Sequence, residues 1–192
     1  MLMHGFIFLE FKHYVQSKYD PMIWDQLQQE SGIQNQKYYS YETYSDEQLN
    51  LLLLGLSKIT NKTLAELLED FGIFIAPILL RTSQHMIKKS WTFLDLLEHT
   101  QEMIYARIIK ALPGSSPPYL KCIRSGPHEV HIIYDSPRKM CDFAKGLIKG
   151  MAAVYTTPIT ISEPTCMHHG GPYCEIIVQV AVGRTTELSN IA

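Results

Sequence analysis

The texture of the chain changes at Pro117-Pro118, and that change constrains the fold more than any other feature. Before it the sequence reads as helices. Residues 5–19 are amphipathic, and Pro21 suits the opening of a second helix to about residue 30. Ser45-x-x-Gln48 and Thr63-x-x-Glu66 have capping-box form and predict helices near 46–58 and 64–80. Pro77 is expected to end or kink the second of these. Residues 91–110 read as another helix, started by Thr92 and stopped by Pro113-Gly114. After Pro118 come short strand-like runs, 119–124 and 129–134, around the turn signal Ser125-Gly126-Pro127. Pro137 could open a helix to about residue 154, and 159–161 and 175–182 read as strands paired about Gly170-Gly171-Pro172. The fold class expected is α+β, a helical N-terminal subdomain packed on a C-terminal subdomain of antiparallel sheet and helix.

Composition narrows the function classes. Hydrophobic residues make up 46% of the 192, enough for a real core in one domain. Seventeen basic and 19 acidic side chains give a net charge of −2 and no electrostatic footprint for nucleic acid. No apolar run approaches the roughly 18 residues needed to span a bilayer. The apolar start, 1–9, ends at Glu10 and Lys12 with no small-residue cleavage site, so a cytoplasmic protein is expected. Four cysteines in a chain this long do not suggest a disulfide scaffold. No Ser/His/Asp set, phosphate loop or carboxylate pair stands out, so an enzyme is not expected.

Tyr134-Asp135-Ser136-Pro137-Arg138 places a phenol, a hydroxyl and a guanidinium at alternate positions where a strand-like run ends. Side chains two apart in an extended segment share a face, so the three donors should converge. A guanidinium grips a carboxylate bidentately and hydroxyls add charge-assisted bonds. A ligand with carboxylate arms fits this set, and so does a polar strand end that caps the next helix.

The same stretch begins a family resemblance. The chain resembles the H-NOX (haem nitric oxide/oxygen binding) domain, of the stand-alone bacterial kind, from Gly5 to about residue 180. The landmarks are Gly5, Tyr44-Ser45-Asp46-Glu47, Tyr105-Ala106-Arg107 followed by Pro117-Pro118, then Tyr134, Ser136 and Arg138, and Gly146-Leu147-Ile148-Lys149-Gly150. The resemblance implies a distal helical part, 1–65, and a proximal part with the sheet, 66–192. It implies haem between them, with Pro118 against the porphyrin, and Ile7, Phe11, Phe74, Ile78 and Leu147 lining the cavity. Phe143 takes the place where some oxygen-binding relatives carry a tyrosine hydroxyl, which implies a preference for nitric oxide over oxygen. Asp46 resembles a position that links the helices. The family's partners are often a histidine kinase or a cyclic-di-nucleotide enzyme on a separate chain.

One position departs from the family. Counted back from the double proline, the histidine that holds haem iron is Tyr105 here. Three readings stay open: a Tyr105 phenolate as the iron ligand, His99 after a local rearrangement, or a pocket that is empty or holds something else. His99 is six residues away, about 240° around a helix, and so occupies a different slot.

A second candidate site is Cys166-Met167-His168-His169-Gly170-Gly171-Pro172-Tyr173-Cys174. Zinc prefers four tetrahedral ligands from thiolate and imidazole. The expected set is Cys141, Cys166, Cys174 and His168, with His169 as the alternative. Some relatives place a ligand three residues before the first hairpin cysteine, which here is Glu163. The rival to a gas sensor is therefore a haem-free zinc-thiolate module that senses redox state or binds a protein partner.

Overall fold

The computed structural model describes residues 1–104 and 117–181. The chain runs β1 (Leu2–His4), α1 (Gly5–Lys18), α2 (Ile23–Glu30), β2 (Thr43–Ser45), α3 (Asp46–Thr60), α4 (Leu64–Ser83), α5 (Phe93–Ile104), β3 (Tyr119–Gly126), β4 (Glu129–Asp135), α6 (Cys141–Val154), β5 (Ile159–Thr165) and β6 (Cys174–Val180). It is an α+β fold, as the sequence predicts.

Local chemistry sets the helix starts. The Ser45 hydroxyl accepts the Glu47 N–H at 3.3 Å to open α3. Thr63 and Glu66 close a reciprocal capping box on α4: the Thr63 N–H donates to Glu66 at 2.8 Å and the Glu66 N–H to the Thr63 hydroxyl at 3.2 Å. Asp95 does the same for Thr92 ahead of α5. The Asn61 backbone, at φ +55°, ends α3 in the left-handed region.

Two departures from the sequence reading have physical causes. Pro77 does not end α4, which runs on to Ser83. Proline removes the amide that would bond the Ile73 carbonyl, and that carbonyl lies against Gly150 of α6, where a Cβ would come within 2.8 Å of it. Tertiary packing thus holds the helix through the break. Pro137 does not open α6 either. Lys139 sits at φ +50° and its N–H bonds the Ser136 carbonyl at 2.9 Å, a tight turn that delays the helix to Cys141.

α4 and α6 touch backbone to backbone. A Cβ on Gly146 would strike the Glu69 carbonyl, one on Gly72 the Phe143 carbonyl, and one on Gly150 would lie 2.6 Å from the Ala76 methyl. The sheet is antiparallel throughout, in the order β3-β4-β6-β5. Its register sets Tyr134 between Leu120 and Cys174, and Ile132 opposite Ile176. β1 and β2 form a separate ladder, with Met3 opposite Tyr44, which three-residue strands did not announce in sequence.

Two cores result. The first gathers Phe8, Phe11, Tyr14, Leu52, Leu56, Phe71 and Ile75 from α1, α3 and α4. The second gathers Phe93, Leu97, Val130, Ile132, Ile148, Ile176 and Val178 from α5, α6 and the sheet. Among the described residues, no helix is long and apolar enough to cross a membrane.

Candidate functional site

The strand end at Tyr134 lies inside the molecule, where the two cores meet. Tyr134 and Ser136 are buried, at 4% and 2% exposure. The Tyr134 hydroxyl accepts the Met140 N–H at 3.2 Å, and the Ser136 hydroxyl accepts the Arg138 N–H at 3.3 Å. Burial pushes the Tyr134 phenol up to about 12, so it stays protonated at neutral pH. Arg138 reaches into the other lobe: its Nε donates to Asp46 Oδ2 at 3.0 Å and its Nη2 to the Leu2 carbonyl at 2.8 Å. Both side chains of this ion pair are largely buried, at 10% and 11% exposure. In the structure the three polar side chains do not share one acceptor. Two of them serve the β4–α6 loop, and the third bridges to α3.

The first core carries a wall of aromatic rings that includes Phe143 of α6. Phe71 meets Phe11 edge-on at 5.1 Å and Phe143 at 5.2 Å between centroids. Phe11 is fully buried, and Ile7, Phe74, Phe143 and Leu147 pack against the same core. Ile78 and Pro118 are half-buried. Phenyl and alkyl groups suit the faces of a flat apolar macrocycle, and two neutral hydroxyls with a guanidinium suit its acidic edge. The residues at rim and wall therefore fit haem. Tyr105, the position counted as its iron ligand, lies outside the described residues. His99 stacks on Trp91 with ring centroids 4.2 Å apart, and its Nδ1 is 2.8 Å from the Asp95 carbonyl. Two surface clefts, of about 480 and 430 Å³, lie elsewhere, the first lined by Glu69, Lys145, Lys149, Thr160, Ile161 and Glu163.

The second centre is built from the starts of α6 and β6 and the end of β5. Cys141 opens α6, Cys166 follows β5 and Cys174 opens β6, and all three are buried. The Cys166 sulfur is 3.8 Å from that of Cys141 and 3.6 Å from that of Cys174. Burial raises the Cys141 thiol and pushes Cys174 up to about 11. A carboxylate oxygen of Glu163 completes the group, with all four ligand atoms within 4.8 Å of one another. Its Oε2 accepts from Lys145 at 2.7 Å, while its Oε1 is buried with no partner among the described residues.

The histidines stand differently from the sequence expectation. His168 Nε2 is 2.7 Å from the Lys139 carbonyl, on an exposed ring that groups with Cys141 and Asp142 rather than with the three sulfurs. His169 is exposed. Alternation along β5 carries the signal for Glu163: Ile159, Ile161 and Glu163 share the less exposed side, so the carboxylate points where the isoleucines do.

Comparison with known proteins agrees with this architecture. The family model described as Haem-NO-binding matches residues 4–163. No curated protein sequence matches the chain. An H-NOX protein from S. oneidensis in the Fe(II)NO ligation state is similar in structure, with a TM-score of 0.87 at 24% identity over 94% of this chain and 100% of that one. The Fe(II) unliganded H-NOX protein from K. algicida gives 0.83 at 19% identity over 95% and 98%. A mutant of the T. tengcongensis H-NOX gives 0.82 at 18% identity over 94% and 98%.

Proposed function

We propose that this chain, which belongs to the haem-NO-binding family, is a haem-based sensor of nitric oxide that reports to a separate partner protein in the cytoplasm, and is not an enzyme. The observation that carries this reading is the buried Tyr134–Ser136–Arg138 stretch, whose arginine bridges to Asp46 of α3, in a chain whose first core presents the Phe11, Phe71 and Phe143 rings. Tyr134 and Ser136 would hold the propionates as neutral donors, and Arg138 would add charge while it keeps its bond to Asp46. Ile7, Phe11, Phe74, Ile78, Phe143, Leu147 and Pro118 would contact the macrocycle. When bound, haem supplies an iron atom able to take a diatomic gas.

Tyr105 is the residue we assign to the iron, with His99 as the alternative. A phenolate is a hard anion and favours the ferric state, and the metal must help strip a proton whose reference pKa is near 10. Phe143 offers no hydrogen bond to a bound gas, which disfavours dioxygen relative to nitric oxide. Movement of α5 relative to the sheet, passed on through Asp46 and Arg138, would carry the signal to the surface as a shift between two arrangements. A histidine kinase or a cyclic-di-nucleotide enzyme is the partner class that this reading favours.

The sulfur trio supports a second cofactor, one zinc ion. Tetrahedral zinc with bonds of about 2.3 Å to sulfur sets its thiolates about 3.8 Å apart, close to the spacing of Cys166 from Cys141 and Cys174. Zinc stands beside haem in this reading rather than in its place.

Expression with haem supplied, followed by visible spectroscopy, tests the sensor. The expected result is a ferric high-spin spectrum that Tyr105→Phe abolishes and His99→Ala leaves unchanged. A protein that takes up no haem under these conditions would refute it.

A further inference from the structure

We infer that Arg124 is a positioning residue for α5: it pins the first two turns of that helix to the β3–β4 hairpin, so that the far end swings about this clamp. The inference rests on the sensor reading above, because α5 carries His99 and Tyr105 follows its last residue.

The contact is built from both sides. Asp95 and Glu98 are three residues apart and so share one side of α5. The Arg124 guanidinium, on β3, reaches both through Nη1, 3.1 Å from Asp95 Oδ1 and 2.9 Å from Glu98 Oε2. It is also held to its own hairpin: Nε donates to the Gly126 carbonyl at 3.1 Å and Nη2 to the Pro127 carbonyl at 3.4 Å. A planar fork fixed at one edge presents its other edge in a set direction, which a flexible ammonium does not. Asp95 serves twice. Its Oδ2 accepts the Thr92 N–H and the Thr92 hydroxyl, both at 2.8 Å, so the carboxylate that starts α5 also fastens it to the sheet. The Thr92 bonds, and then the guanidinium, hold the Asp95 carboxyl below the usual carboxylate range.

Burial follows the same division. Phe93, Leu94, Leu96 and Leu97 are buried, and none of residues 98–104 is. Among the described residues, the ion pairs that join α5 to another element are the two on Arg124. Apolar packing and one cation therefore fasten the start of the helix. Its last turn, next to the residue assigned to the iron, contributes no buried side chain. A pull at that end turns the helix about Arg124. The three charged side chains are 30% to 33% exposed, so salt reaches the clamp and weakens it.

The test uses the full chain, with hydrogen exchange read by mass spectrometry, first without haem. Arg124→Gln, with unchanged far-UV circular dichroism, should quicken exchange across residues 93–104 about 5- to 10-fold and leave α1 and α3 at their wild-type rates. Arg124→Lys should recover less than half of that effect on a logarithmic scale, because it keeps the charge and gives up the fork. Lys149→Gln, which removes an ion pair to Glu69 on α4, should leave α5 unchanged. In wild type, salt at about 1 M should reproduce the exchange of Arg124→Gln, and in that variant it should have no further effect. With haem supplied, Arg124→Gln should lose haem to an acceptor globin about 5-fold faster than wild type. Exchange that quickens only in the β3–β4 hairpin, or equally in every element, would overturn the inference. So would a loosened α5 that leaves haem loss unchanged. A wild type that takes up no haem refutes the sensor reading instead, and exchange in the haem-free chain still decides whether Arg124 clamps α5.

Discussion

At the scale of single residues, Asp46 and Arg138 tie one lobe to the other. Asp46 is the first residue of α3 and Arg138 lies between β4 and α6, and their ion pair is 3.0 Å long and largely out of water. A buried pair adds little relative to an apolar pair of the same shape, but removal of one partner strands the other charge. Asp46→Asn should therefore destabilise the haem-free protein by about 3 kcal/mol in urea unfolding. Asp46→Asn combined with Arg138→Met should recover much of that loss, because the buried guanidinium is no longer stranded; the N-terminal ammonium of Met1, 2.9 Å from Asp46 Oδ1, still loses its carboxylate but is part-exposed. A double variant no more stable than the single one would place the effect elsewhere in the loop.

At the scale of elements, the α4–α6 contact is set by small residues at Gly72, Ala76, Gly146 and Gly150. Gly146→Ala gains up to about 1 kcal/mol of helix propensity but drives a methyl into the Glu69 carbonyl, a backbone group that cannot rotate away. The net expectation is a loss of about 2 kcal/mol in thermal or urea unfolding. Gly126→Ala, where nothing lies within 4 Å of the new methyl, should stay close to neutral and serves as the control. The same contact explains what the sequence did and did not disclose. Capping boxes at Thr63 and Ser45 are local, and so were readable. The passage of α4 through Pro77 was not, because its cause is a helix far along the chain. The delayed start of α6 depends on one left-handed residue, Lys139, with no glycine to mark it. In the sulfur centre the cysteines were legible by type and spacing. The sequence offered His168, with His169 as the alternative; Glu163 came only from the resemblance to relatives, and the alternation along β5 that puts it on the less exposed side was the local signal for it.

At the scale of the molecule, the two cores differ in how they are closed. The first is apolar and aromatic, with Phe71 in ring contact with Phe11, Tyr14 and Phe143. The second includes Cys141, Cys166 and Cys174 among its buried residues, so three of its elements end at one polar cluster. If zinc binds there, it binds only the folded arrangement, because the ligands come from α6, β5 and β6 and meet nowhere in the unfolded chain. Free zinc at 1,000 times its dissociation constant then adds about 4 kcal/mol to stability, and a chelator removes it. The loss should be local before it is global. Hydrogen exchange after chelation should quicken in β5, β6 and the first turn of α6, where the cluster ties strands to helix. Exchange in α1 and α3 should keep its rate, since those helices rest on the first core and touch none of the ligands. A uniform rise across both lobes would mean that the cores unfold as one unit, and no rise at all would mean that the thiols close the second core without metal.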